Sequence, residues 1–107
     1  MSTTPKSEIL DLAALASYQA GAVVSRQVTK GEGGNVTLFA FDEGQELSEH
    51  TAPFDALVHV LDGEAEIKIA GQPYQLKAGD GIIMPANAPH ALFARKKFKM
   101  LLTMIKA

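Results

Sequence analysis

Three side chains, His50, His59 and His90, combine a metal-ligating nitrogen with an ionisation near neutral pH, and no other residue type in the chain does both. Cysteine is absent, which excludes thiolate metal centres, disulfides and a thiol nucleophile and leaves only nitrogen and oxygen to hold a metal. No serine stands in a nucleophile elbow. Gly31-Glu32-Gly33-Gly34 lacks the lysine and hydroxyl residue of a phosphate loop and reads as a β-turn. Asp42, Glu43, Glu46 and Glu49 read as a solvated acidic loop. The chemistry open to the chain is therefore that of imidazole. It could coordinate one divalent transition metal (Zn, Mn, Fe, Ni or Cu), or, with no metal at all, hydrogen-bond a small molecule.

His50 closes the segment Gln45–His50, and His90 follows the turn Met84-Pro85-Ala86-Asn87-Ala88-Pro89. Both lie at strand–loop junctions, where a barrel presents side chains to its lumen. From Gly21 onward, short apolar segments alternate with Gly, Pro, Asn and Asp at intervals of about eight to twelve residues, the pattern of an all-β sandwich or barrel. Strands are predicted at Ala22–Thr29, Val36–Phe41, Gln45–His50, Asp55–Leu61, Glu64–Ala70, Gln72–Lys77, Ile82–Met84, His90–Ala94 and Phe98–Ile105. Asp62-Gly63 reads as a type I′ turn joining Asp55–Leu61 to Glu64–Ala70 in a hairpin, and Ala70-Gly71 as a second tight reversal. On Glu64–Ala70, Ala65, Ile67 and Ile69 form a core face, and Glu64, Glu66 and Lys68 form a wet one. If Ala56 points inward, so do Val58 and Val60, and His59 points away from the lumen.

Before the barrel, residues 1–20 are expected to form a leader and a short helix, Glu8–Ala16, capped by Ser7 and followed by the β-domain at 21–107. Leu38-Phe39-Ala40-Phe41 and Met100-Leu101-Leu102 place apolar groups on both faces of a sheet, so the second face needs a cover. The helix accounts for part of it, and a twofold homodimer burying one sheet accounts for the rest.

The chain of 107 residues is long enough for one domain with its own core. A formal charge of −2 and a pI near 5.9 argue against a nucleic-acid partner. No apolar run approaches the roughly 20 residues of a membrane-spanning helix and no signal-peptide core is present, so the expected location is the cytoplasm.

Two spacings resemble the motifs of the cupin family. Gly44, His50 and Gly63 match the first, with Ala52 at its second histidine position and Ala56 at its glutamate position. Gly79, Pro85 and His90 match the second, with Asn87 at its internal glycine position and Ala94 at its closing asparagine position. Lys77-Ala78-Gly79-Asp80 ahead of Ile82-Ile83-Met84-Pro85 is similar to the family's inter-motif segment, so the resemblance covers roughly residues 36 to 105. It implies a single-domain jelly-roll β-barrel and a metal site of three histidines and a glutamate, of which this chain keeps His50 and His90. A third ligand would have to be water or a carboxylate such as Asp55 or Glu49. Ala52 and Ala56, with Val58 and Leu92, would then line an apolar hollow beside the two imidazoles, unless Phe39, Phe41 or Met104 fills it. The resemblance leaves three functions open: a small-molecule-binding barrel, a metal-dependent dioxygenase, isomerase or decarboxylase, and a sensing or dimerisation module.

Overall fold

Period-two alternation of apolar residues produces eight strands in the computed structural model, which describes residues 4–106: β1 (Val23–Gly31), β2 (Gly34–Phe41), β3 (Glu46–His50), β4 (Asp55–Ile69), β5 (Gln72–Lys77), β6 (Gly81–Met84), β7 (His90–Phe93) and β8 (Phe98–Ile105). Pairing runs β1-β2-β8-β4-β7-β3, with β5 and β6 also on β4. All ladders are antiparallel, and β4 belongs to both sheets, so the structure curls into a jelly-roll barrel. Inside, Phe41, Val58, Val60, Ile67, Phe98 and Met100 are fully buried.

One expected hairpin is absent. Residues 55–63 pair with β8, and 64–69 pair with β5 and β7, so the two segments flanking Asp62-Gly63 never pair with each other. Gly63 does have the positive φ expected of it, +76°, but at the corner where the chain passes between sheets, beside a register shift at Val60/Asp62. The two-residue hairpin lies at Ala70-Gly71, with φ of 50° and 81°, between Ile69 and its partner Gln72. Glu32-Gly33 forms the tip between β1 and β2, as the glycine-rich turn suggested.

The expected helix Glu8–Ala16 is reduced to one 3₁₀ turn, Leu12–Leu15. Its N-cap is Asp11, with no side-chain capping bond, and Ser7 lies at φ 61° rather than capping anything. Packing on the sheet replaced capping: Ala16, Leu15 and Tyr18 lie over Leu38, Ala40 and Leu101 as an irregular strap. Tyr18 fastens it by donating to the Asp62 carboxylate at 2.5 Å, with the Lys97 and Lys99 ammonium groups each 4.9 Å from its ring centroid. Burial, with the adjacent Asp62, pushes the Tyr18 phenol pKa up. Of the expected leader, Met1–Thr3 lies outside the described residues, as does Ala107 at the end of the expected barrel.

Candidate functional site

His50 and His90 face each other across the β3–β7 ladder, next to an irregularity between Leu47 and His50. Their ring centroids are 4.3 Å apart at an interplanar angle of 70°, and the two Nε2 atoms are 3.1 Å apart. His90 is 5% exposed, while His50 is open to solvent. Each Nδ1 meets a backbone carbonyl two residues earlier: Ser48 at 2.8 Å for His50 and Ala88 at 3.2 Å for His90. A carbonyl can only accept, so both Nδ1 atoms carry hydrogen and both Nε2 atoms carry a lone pair when the rings are neutral.

The loop ahead of His90 is built to hold that carbonyl in place. Asp55 accepts from the Ala86 amide at 2.8 Å, and the Asn87 amide donates to the Ala52 carbonyl at 2.7 Å. Asn87 adopts φ 65°, a conformation asparagine tolerates better than most residues, so the loss of a glycine here leaves the turn intact. The orienting groups Ser48, Ala52 and Ala88 act through their backbone, which no side-chain pattern in the sequence could reveal. Asp55, expected from the sequence as a carboxylate that could complete a metal site, instead accepts from the Ala86 amide.

Two lone pairs 3.1 Å apart repel, so the geometry calls for something positive between them. Nitrogens 3.1 Å apart and each about 2.1 Å from one ion would subtend about 95°, so the pair fits two adjacent coordination positions. Nothing completes the set. Ala52 and Ala56 bring no donor, His59 is exposed on the opposite face of β4, and no group of three His, Cys, Asp or Glu suited to a metal occurs among the described residues. Two imidazoles do not fit a divalent ion held by this chain alone. A single proton does fit: held between the two Nε2 atoms, it makes one N–H···N hydrogen bond.

Burial, and then the neighbouring His50, lower the pKa of His90, with the Ala88 carbonyl opposing them. A neutral His90 is thus the acceptor of the pair. Because the unfolded ring titrates near ~6.5, stability tied to neutral His90 is complete above that pH and is lost as pH falls through the lower folded value. The difference in Tm between wild type and His90→Gln should therefore shrink from pH 7.5 to pH 5 on thermal scans at about half-unit steps. A difference independent of pH would mean that the fold does not hold this ring neutral.

Of the residues expected to line a hollow, Ala56, Val58 and Leu92 are 4%, 0% and 2% exposed within the core cluster, and Ala52 is half-buried. Phe41 belongs to that cluster, and Phe39 and Met104 pack against it. A hollow of about 330 Å³ lies on the outer side of β3, β7 and β4, between Glu46, Ser48, Glu66 and Lys68, and another of about 380 Å³ lies at the β1–β2 tip. Neither is lined by His50 or His90. No helix among the described residues is long and apolar enough to cross a membrane.

The family model described as the cupin domain matches residues 37–106. No curated protein matches the chain significantly. Among solved structures, a conserved protein of unknown function from Streptococcus pyogenes is 36% identical with a TM-score of 0.91, covering 100% of this chain and 96% of that one. A cupin 2 conserved barrel domain protein from Leptotrichia buccalis is 40% identical with a TM-score of 0.88, covering 91% of this chain and 47% of that one. A cupin superfamily protein from Desulfitobacterium hafniense is 29% identical with a TM-score of 0.90, covering 99% of this chain and 97% of that one.

Proposed function

The chain belongs to the cupin family, and we propose that it binds a small organic acid at the mouth of the barrel, through the paired imidazoles of His50 and His90 and without a resident metal. The observation that carries this reading is the convergence of the two Nε2 atoms at 3.1 Å while both Nδ1 atoms are held on backbone carbonyls. Held on those carbonyls, the rings keep both remaining nitrogens within reach of the two oxygens of one carboxyl group once the N–H···N contact opens. The proton between the rings supplies one hydrogen, and because the acid arrives ionised near neutral pH the second is taken up from solvent. Each Nε2 then carries a hydrogen to donate, one to each carboxylate oxygen, and the charge-assisted bonds replace the N–H···N contact. Ala52 at the rim is half-buried, and the packed core of the barrel limits how far the tail of an acid can enter.

Calorimetric titration with a series of short mono- and dicarboxylic acids tests this. Binding should be accompanied by uptake of about one proton, seen by varying the buffer's ionisation enthalpy, and should weaken at least about tenfold in either His50→Ala or His90→Ala. If no acid binds, or binding survives both substitutions, the reading is wrong. Elemental analysis of untagged protein supplies the other check. About one metal ion per chain, lost in the His50→Ala/His90→Ala variant, would replace this reading with the metal-dependent one.

A further inference from the structure

On the inner face of the sheet built from β1, β2, β8, β6 and the first half of β4, the ladders set one row of side chains at the mouth: Lys30, Asn35, Met104, Ala56, Met84. Gln27, Thr37 and Leu102 stand in the row beneath it. That these rows point inward follows from β2 itself. Phe39 and Phe41, in step with Asn35 and Thr37, pack in the barrel core, whereas Leu38 and Ala40 lie under the strap. The mouth row is apolar on β8, β4 and β6 and turns polar on β2 and β1. Asn35 and Thr37 are half-buried, and Thr37 Oγ1 donates to Asn35 Oδ1 at 3.5 Å. Both hydrogens of the Asn35 amide are then left without a protein partner among the described residues. Lys30, directly across the ladder from Asn35, forms no ion pair among the described residues. The hollow of about 380 Å³ at the β1–β2 tip is lined in part by these two side chains.

Across the barrel stand the two imidazoles. At the corner end, β2 and β3 are joined by residues 42–45 alone and β7 and β8 by residues 94–97, so β3 faces β2 and β7 faces β8 from the other sheet. His50, at the end of β3, and His90, at the start of β7, therefore reach the mouth opposite Asn35 and Met104, with about 10 Å between the two layers. We infer that the facing layer holds a second anion subsite and that the acid bound at the mouth is a short dicarboxylate, one carboxylate on the His50 and His90 Nε2 atoms and the other on the Asn35 amide and the Lys30 ammonium. This rests on the recognition of a carboxylate by the imidazole pair. Phe39, Leu102 and Met104 pack against the core and close the path downward, so the second end of the acid has to run across the mouth, over Met104, toward β2 and β1. There the Thr37 hydroxyl holds the Asn35 amide by its oxygen and leaves the nitrogen to donate, and Lys30 supplies charge that only a second carboxylate can use. None of the residues in the mouth row is an acid that would oppose it.

Calorimetric titration of the full chain with acids matched in length tests this: succinate against butyrate, and malonate against propionate. The wild type should bind the better of the two dicarboxylates at least about tenfold more tightly than its monocarboxylate counterpart. Lys30→Met and Asn35→Leu should each cut that preference at least about threefold, with unchanged far-UV circular dichroism and with monocarboxylate affinity within about twofold of wild type. Asn35→Asp, which sets an acid against the second carboxylate, should remove the preference. Lys68→Met, at an exposed lysine on the outer face of the other sheet, should leave it unchanged. Equal binding of mono- and dicarboxylates by the wild type, or a preference that survives both Lys30→Met and Asn35→Leu, overturns the second subsite and leaves recognition by the imidazoles standing. A loss as large in Lys68→Met assigns the preference to net charge and overturns it as well. If none of the four acids binds, or binding persists in both His50→Ala and His90→Ala, recognition by the imidazoles fails and the second subsite falls with it.

Discussion

Gly63→Val is expected to abolish folding or to cost about 4 kcal/mol or more in urea denaturation, a large share of the roughly 5–15 kcal/mol that holds a domain of this size together. Two effects add. The φ of +76° is open to glycine and strained for a β-branched residue, by about 1–3 kcal/mol. A Cβ at this position would also overlap the Lys97 carbonyl oxygen and lie 2.9 Å from the Cα of Phe98. Both atoms are backbone, one in the first residue of β8 and one in the residue just before it, so neither can move aside without opening the corner between the sheets. Gly71→Ala is the matched control. Its φ is +81°, yet nothing lies within 4 Å of the added carbon, so only the conformational strain of about 1 kcal/mol remains. Equal losses in the two variants would show that the close approach at Gly63 has no energetic weight.

The same glycine shows what the sequence made legible. Positive φ at Gly63 was readable from Asp62-Gly63, because that dipeptide favours it, but the ladder partners were not. Asp55–Leu61 and Glu64–Ala70 look alike in period and composition, and the choice between pairing with each other and pairing with β8 and β7 depends on contacts 21 to 50 residues away. Strand alternation was decisive wherever one face is buried, hence the inward Val58 and Val60 and the outward His59. It failed for the N-terminal segment, whose helical spacing of Ile9, Leu12 and Leu15 yielded to docking on a sheet; Ile9 is fully exposed and only the 3₁₀ turn survives. At the site, the resemblance to the cupin motifs implied that His50 and His90 lie together, and they do. The direction of each ring is set by the Ser48 and Ala88 carbonyls, which every residue possesses and no composition reveals.

Phe98→Ala is expected to cost about 4 kcal/mol and to lower Tm by about 20 °C while leaving acid binding at the barrel mouth within about twofold of wild type. Phe98 and Phe41 are both fully buried and stack with centroids 4.4 Å apart and an interplanar angle of 12°, so truncation removes a large buried surface together with a ring–ring contact. The position of the damage is what gives the variant its value. Phe98 pairs with Gly63, whereas His90 pairs with Ile69, six residues further along β4, or about 20 Å of strand. The cavity opened by truncation is therefore at the corner end of the barrel, remote from the histidine pair. If the acid instead penetrated the packed interior, enlarging that interior would change both affinity and chain-length preference. Titrating the same carboxylic acids against Phe98→Ala well below its transition separates the two cases. An unchanged rank order assigns recognition to His50 and His90 at the mouth, and a shift toward longer acids assigns it to the lumen.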